Sequence, residues 1–158
     1  MGVMTYSQAG CLALRQEMEA NDKVWALGED VGPEGGVAGQ YLGLQKIFGK
    51  ERIVDTPISE SMIMSAAIGS ALLGMRPVAE LRYADFALCA ADEIINQAAK
   101  VRYMLGGQVR VPMVIRQPIG MRWGMAAQHS QSNENLWIGT AGLVVVASAT
   151  PADRSEEH

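Results

Sequence analysis

One carboxylate in this sequence stands where it could exchange a proton with a ligand. Glu60 lies in the first turn of a predicted helix, residues 59–74, whose other residues are almost all apolar or small. An acid in this position stabilises a helix through the helix dipole, which would be a purely structural role. Alternatively, a carboxylate held among apolar residues acquires a raised pKa and acts as an acid or base. Both roles remain open at this level.

Two ring side chains could serve the same site. His129 is the only histidine apart from the terminal His158, and it follows a glycine-containing loop, residues 117–128. In an open α/β sheet, loops at the carboxyl ends of strands line the ligand crevice, so His129 is either structural or functional. Phe86 follows Asp85 at a predicted strand-to-helix junction, where its ring is either a hydrophobic anchor or a stacking platform for a planar ligand.

Several common chemistries lack their motif in this sequence. There is no GxGxxG after the first predicted strand, no GxxxxGK[ST] and no GxSxG. Gly32, Gly35 and Gly36 are interpreted as turn glycines, because no Lys-Ser or Lys-Thr pair follows them to bind phosphate. Cys11 and Cys89 lie far apart, so a structural zinc site is not expected. Both cysteines are predicted to be reduced core residues.

The composition is typical of a soluble globular protein. Of the 158 residues, 49% are hydrophobic and 19% are charged, a balance that excludes a wholly disordered chain. The 13 basic and 17 acidic residues give a net charge of −4, and no basic run favours nucleic-acid binding. No secretory leader is predicted, and the most apolar stretch, residues 62–75, is too short to span a membrane. We therefore expect a cytoplasmic protein.

Helices and strands are predicted to alternate along the chain. That order predicts an α/β fold with an open, mostly parallel sheet and helices on both faces. The helix at 59–74 is apolar nearly all round and is expected to be buried on several sides. A polar tail after Pro151 is expected in place of a last amphipathic helix. Predicted helices are residues 5–21, 43–48, 59–74, 84–105 and 133–138; predicted strands are residues 24–27, 52–54, 77–81, 111–115 and 142–147.

A series of short motifs runs along the chain in a fixed order. They are GEDV at 28–31, GGV at 35–37, DTPISE at 55–60, RPVAE at 76–80, DF at 85–86, DEIINQAAK at 92–100, RYM at 102–104, HSQ at 129–131 and GLVVV at 142–146. Over about residues 6–153 the sequence resembles the beta subunits of thiamin diphosphate-dependent 2-oxo acid dehydrogenases, of the pyruvate, branched-chain or acetoin dehydrogenase type. The resemblance implies a transketolase-like pyrimidine-binding fold. We expect a single domain over residues 1–158, without the family's C-terminal domain.

This resemblance implies a cofactor shared between two subunits. An alpha subunit would hold Mg²⁺ and the diphosphate, while this chain would hold the aminopyrimidine ring and supply no metal ligand. Glu60 would hydrogen-bond the pyrimidine atom N1′, and Phe86 would stack on the ring. Ile58 would be an apolar neighbour of the cofactor, and His129 would act near the reacting centre. Glu60 and His129 are thus the implied catalytic residues, and the acyl group would pass to a lipoyl acyltransferase core.

Two functional interpretations follow from the resemblance. In the first, the chain is the beta-type half-site of an oxidoreductase, inactive without its alpha partner, in a self-associating heterotetramer. In the second, it is a non-catalytic assembly module or an inactive fragment of such a subunit. The site residues favour the first interpretation; the missing second domain and the bulky Arg122 and Trp123 favour the second. Subunit contacts are expected at residues 62–75 and 98–104. Transketolase and deoxyxylulose phosphate synthase fit the motifs less well.

Overall fold

A parallel sheet forms the centre of the fold, which a computed structural model describes over residues 4–120 and 124–155. Within those residues the sheet has four strands in the order β2-β1-β3-β4, and every pairing is parallel. The strands are β1 (Val24–Glu29), β2 (Ile53–Thr56), β3 (Arg76–Glu80) and β4 (Val114–Arg116). The predicted α/β class with an open parallel sheet is confirmed.

Helices cover both faces of this sheet. The α-helices are α1 (Tyr6–Ala20), α2 (Leu44–Phe48), α3 (Glu60–Leu72), α4 (Val101–Met104), α5 (Asn135–Ile138) and α6 (Pro151–Ser155). Neighbouring residues of one strand point to opposite faces. Ala26 of β1 therefore packs in one hydrophobic cluster with Leu14 of α1 and Leu44 of α2. Leu27, the next residue, packs in another with Met64 of α3.

The first helix, predicted to start at residue 5, begins at a capping box formed by Thr5 and Gln8. The Thr5 hydroxyl accepts from the backbone N–H of Gln8 at 3.3 Å, and the Gln8 side chain accepts from the backbone N–H of Thr5 at 2.9 Å. These two bonds satisfy backbone donors that the helix itself leaves without partners. The start of α1 is therefore encoded locally, as the sequence indicated.

The single long helix predicted at residues 84–105 is wrong. The segment forms a 3-10 helix (Ala84–Ala90), a π-helix (Glu93–Ala98) and then α4. A 3-10 helix has three residues per turn, so positions three apart lie on one line. Ala84, Ala87 and Ala90 have this spacing and are completely buried. The tighter helix lets this row of small side chains pack against the rest of the core.

The predicted strand at residues 142–147 is also wrong. Within the described chain these residues pair with no strand, although they and β4 both line a cavity of about 760 Å³. Val144 and Val146 are 92% and 63% exposed. A strand requires a hydrogen-bonded neighbour. The strand β4, which lines the same cavity, is shorter than the predicted strand at residues 111–115 and is shifted toward Arg116. The apolar run alone is therefore insufficient to form a ladder.

The expectation that no helix would follow Pro151 is wrong as well, because α6 forms there. Thr150 and Asp153 cap it reciprocally: the Asp153 carboxylate accepts from the Thr150 N–H at 2.9 Å, and the Thr150 hydroxyl accepts from the Asp153 N–H at 3.2 Å. Proline at the first helical position suits this start. The helix packs against α1.

Helix α3 is buried on one side, not on several as predicted. Ile63, Met64 and Ala67 are in the core, whereas Met62 and Leu72 are about 40% exposed, at 42% and 39%. Gly69 lies on the same open side. Even so, among the described residues no helix is long and apolar enough to cross a membrane.

The two cysteines are not both core residues. Cys89 is exposed, so the prediction of a buried thiol is wrong for it. Cys11 is partly buried against the cluster beneath α1, and neither forms a disulfide. Burial raises the pKa of the Cys11 thiol.

The packing of β1 against β3 is predicted to depend on Gly28. A Cβ at this position would lie 2.7 Å from the Glu80 carbonyl oxygen and 2.8 Å from the Glu80 Cβ. Gly28→Ala should therefore lower the free energy of unfolding by about 1–3 kcal/mol through overpacking. Gly69→Ala is the matched control, because no atom lies within 4 Å of its added Cβ. That control should instead stabilise the chain by about 0.5–1 kcal/mol through helix propensity. Urea denaturation measures both, and equal effects would contradict the close-approach argument.

Candidate functional site at the carboxyl edge of the sheet

The predicted site residues all follow strands that end at one edge of the sheet. The parallel register places Glu29 beside Thr56, and Glu80 beside both Gly28 and Arg116. The segments that leave β2, β3 and β4 therefore start from the same edge. These segments carry Glu60, Phe86 and His129 respectively. This edge is where open α/β sheets bind ligands.

Three rings meet after β3 and β4. The Phe86 and His129 ring centroids are 5.1 Å apart with the planes at 90°, and Tyr83 lies 5.0 Å from His129 and 5.9 Å from Phe86. All three contacts are edge-to-face, the geometry that aromatic quadrupoles favour. The structure thus brings Phe86 and His129 together, which sequence spacing could not show. Tyr83 is 6% exposed and was not predicted as a site residue.

A buried carboxylate links the same two segments. The Asp85 Oδ1 atom accepts from the Gln131 side-chain nitrogen at 2.8 Å and from the Gln131 backbone N–H at 3.3 Å. Asp85 precedes Phe86 directly, and Gln131 lies two residues after His129. Both residues belong to the DF and HSQ motifs, but no signal in the sequence paired one with the other.

Glu60 is the first residue of α3 and is partly buried. The hydroxyl of the next residue, Ser61, donates to the Cys89 carbonyl at 2.6 Å. This bond ties the start of α3 to the 3-10 helix that carries Phe86. The positive end of the α3 dipole favours a charged carboxylate here. Ile58, two residues earlier, is 74% exposed and leaves an apolar surface open beside this helix start.

A second buried carboxylate holds the edge itself together. Glu80, the last residue of β3, is 1% exposed and accepts from Gln40 at 2.9 Å and from the Tyr41 hydroxyl at 2.8 Å. Arg116 of β4 forms an ion pair with it at 3.4 Å. The Arg116 guanidinium also lies 5.2 Å from the centre of the Tyr41 ring. The sequence analysis did not predict this network. The one sign of it in the sequence was Glu80, an acidic residue at the end of a largely apolar strand.

The loop after β1 is tied to the same edge. Arg82 forms ion pairs with Glu29, at 3.3 Å, and with Asp30. Gly35 and Gly36 have φ of 77° and 80°, which only glycine adopts easily, in keeping with the predicted turn role. The bulky pair Arg122 and Trp123 lies outside the described residues. Among the residues that are described, no group of three or more acidic, histidine or cysteine side chains is arranged to hold a metal ion.

A family model and the fold define the class of protein to which the chain belongs. The family model described as the transketolase pyrimidine-binding domain matches residues 3–156, so the chain is a member of that family. A solved structure of a split-gene transketolase, titled an inactive beta4 tetramer, shares the fold. It has a TM-score of 0.56 and 22% identity, and the match covers 75% of this chain and 35% of that one.

Particular relatives are beta subunits of 2-oxo acid and acetoin dehydrogenases, which confirms the resemblance seen in the motifs. The chain is 45% identical to the 2-oxoisovalerate dehydrogenase subunit beta of Bacillus subtilis, over 97% of this chain and 47% of the relative. It is 45% identical to the pyruvate dehydrogenase E1 component subunit beta of Leifsonia xyli, over 89% and 42%. For the acetoin:2,6-dichlorophenolindophenol oxidoreductase subunit beta of Cupriavidus necator, the identity is 46%, over 89% and 44%. The chain spans about half the length of these curated relatives.

Tyr41 is predicted to make the chain sensitive to alkali. Burial raises the pKa of Tyr41 well above its ordinary value, and the adjacent Glu80 charge adds to the rise. The unfolded chain then loses the Tyr41 proton from about pH 10 while the folded chain keeps it, so stability falls as the pH rises above that value. Tyr41→Phe should remove the part of this fall in stability that Tyr41 causes.

The same variant has a cost at neutral pH. Removing the Tyr41 hydroxyl should lower the free energy of unfolding by about 1.5–3 kcal/mol, because Glu80 loses a hydrogen bond to a charged group. Urea denaturation at pH 7 and pH 10.5 measures both effects. Tyr103→Phe is the control, since Tyr103 is 87% exposed. An unchanged alkaline slope in Tyr41→Phe would show that Tyr41 is not the group responsible.

Proposed function

We propose that this chain binds the aminopyrimidine ring of thiamin diphosphate as the beta-type half-site of a 2-oxo acid or acetoin dehydrogenase. The observation that carries the proposal is the contact between Phe86 and His129 at the carboxyl edge of the sheet. The segment that carries Glu60 starts from the same edge. Identity of 40–46% to dehydrogenase beta subunits over most of the chain supports it.

The residues at this edge suit an aminopyrimidine. Such a ring has two apolar faces and a rim of nitrogen atoms that donate and accept hydrogen bonds. Phe86 offers an aromatic surface, the exposed Ile58 an apolar one, and Glu60 a carboxyl group that hydrogen-bonds a ring nitrogen. The Ser61–Cys89 bond keeps the segments that carry Glu60 and Phe86 next to each other. The set of groups therefore fits the cofactor.

Glu60 is assigned the handling of the ring proton. When bound, thiamin diphosphate supplies the carbon nucleophile that makes decarboxylation of a 2-oxo acid possible. The Glu60 carboxyl group would hold a proton at N1′ and orient the ring through that bond. Glu60 is partly exposed in this chain, and a covering subunit would exclude water from it. Exclusion of water would strengthen the hydrogen bond between the carboxyl group and the ring.

His129 is assigned a later step, near the reacting carbon. An imidazole can both donate and accept a proton, which suits transfer of an acyl group to a carrier. Its ring is held edge-on by Tyr83 and Phe86, so its orientation is set before a ligand arrives. The lipoyl group of an acyltransferase core would be that carrier.

The remaining parts of the site would come from partners. An alpha subunit would hold the diphosphate and Mg²⁺ and complete a heterotetramer with this chain. Exposed apolar side chains offer surfaces for such contacts: Tyr103 and Met104 beyond the π-helix are 87% and 72% exposed, and Leu73 after α3 is 88% exposed. These lie in or next to the segments expected to make subunit contacts. Pyruvate, branched-chain 2-oxo acids and acetoin are the substrates that the names of the relatives suggest.

Glu60→Gln tests the central assignment. In a complex reconstituted with an alpha subunit, thiamin diphosphate- and Mg²⁺-dependent decarboxylation should fall by about 10²–10⁴-fold, because the amide cannot exchange the ring proton. An artificial electron acceptor reports the rate, and circular dichroism checks the fold. Glu51→Gln, at an exposed glutamate before β2, is the matched control. Full activity of Glu60→Gln would refute the assignment, whereas a tight complex in which even the unmodified chain is inactive would favour an assembly module.

His129→Ala separates the two chemical steps. Reductive acylation of a lipoyl domain should fall more than decarboxylation measured with an artificial acceptor, because the imidazole acts in the transfer. Comparing the two rates in one reconstituted preparation measures the difference. An equal loss in both assays would place His129 in the earlier step.

A further inference from the structure

We propose that Asp85 and Gln131 are positioning residues that hold His129 against Phe86. The catalytic consequence of this proposal rests on the proposed function; the structural part does not. Two donors of one residue, the backbone N–H and the side-chain amide of Gln131, converge on one oxygen of Asp85. This arrangement fixes both the place of residue 131 and the direction of its side chain. We call the Asp85–Gln131 pair the clamp.

The clamp and the contact between the Phe86 and His129 rings join the same two segments. Asp85 and Phe86 are adjacent in sequence, and His129 and Gln131 are two residues apart. The Gln131 carbonyl also accepts from the Gly120 N–H at 3.0 Å, which anchors residue 131 to the loop that leaves β4. Residue 131 is thus held from two sides. The position of His129 follows from that of Gln131 because one residue separates them.

The segment that carries His129 has weak internal constraints, so an external one is needed. Residues 127–129 form one turn of 3-10 helix, in which the His129 N–H donates to the Ala126 carbonyl at a long 3.4 Å. Ala126 has φ of 59° and ψ of −165°, a combination that is strained for any residue with a side chain. A segment with this conformation keeps a single geometry only where its surroundings impose it.

Burial makes the clamp energetically important. Asp85 is 7% exposed, and its second oxygen is buried with no hydrogen-bond partner among the described residues. A buried carboxylate needs hydrogen bonds to its charge, and charge-assisted bonds are the stronger kind. Removing the Gln131 amide would deprive Asp85 of its shortest bond. The two residues are therefore coupled, and a change in one should be repaired by a complementary change in the other.

The test exchanges the chemistry of the two side chains. Gln131→Glu sets two carboxylates against each other and should displace the loop. Asp85→Asn combined with Gln131→Glu restores an amide donor opposite a carboxylate and so restores the shorter, side-chain bond, at the expense of the 3.3 Å backbone bond. Gln128→Glu adds the same charge at an exposed position one residue before His129 and is the matched control. Gln131→Met, which lacks the donor but adds no charge, replaces Gln131→Glu if that variant does not fold.

The first readout needs neither cofactor nor partner. Nuclear magnetic resonance of the full chain should show nuclear Overhauser contacts from the His129 ring to Phe86 and Tyr83, assigned by comparison with His129→Ala. These contacts should be lost in Gln131→Glu, restored in the double variant and unchanged in Gln128→Glu. Contacts that persist in Gln131→Glu or Gln131→Met, or that fail to return in the double variant, would overturn the clamp.

The second readout links the clamp to the reaction. In the reconstituted complex, Gln131→Glu should lower kcat for lipoyl acylation by about 10–100-fold with little change in KM, and the double variant should regain most of it. If Gln131→Glu loses the nuclear Overhauser contacts but Glu60→Gln keeps full activity, the clamp stands and the proposed function is refuted. If Gln131→Glu keeps the contacts but Glu60→Gln loses activity, the clamp is refuted and the proposed function stands.

Discussion

The buried carboxylate of Glu80 joins three parts of the molecule where the sheet ends. A charge with 1% exposure costs several kcal/mol unless it is paired and hydrogen-bonded. Here the loop after β1 supplies Gln40 and Tyr41, and β4 supplies Arg116. The folded chain must therefore place this loop next to the ends of β3 and β4. Gly28, whose missing side chain leaves room for Glu80, lets β1 join them.

The candidate site is built outward from that edge. Once β3 and β4 end side by side, Tyr83 and Phe86 follow one strand and His129 follows the other. The segments after the two strands then bring the three rings together. The clamp between Asp85 and Gln131 then sets the geometry more finely. The site is thus layered: a rigid, buried ionic network supports segments whose own backbone bonds are few. Catalytic side chains on loops are commonly positioned by a rigid scaffold in this way.

The same chain leaves much apolar surface open, and this surface bears on how the site would work. Ile58, the outer side of α3 and the residues after the π-helix are all exposed. Large exposed apolar patches mark interaction surfaces in soluble proteins. Under the proposed function, a partner subunit would cover Glu60 and exclude water from it. The chemistry would then be assembled between chains, with this chain contributing the ring-binding side.

Local pattern determined the elements whose signals lie within one segment: the capped start of α1, the apolar strands β1 and β3, and the apolar helix after Ser59. The motifs also identified Glu60, Phe86 and His129 as candidates. Tertiary structure decided which of these meet, since ring contacts and the Glu80 and Asp85 networks join residues about 40 positions apart. It also decided that residues 84–105 form three helical pieces and that 142–147 form no strand. Helix type and strand pairing depend on neighbours that no local window of sequence contains.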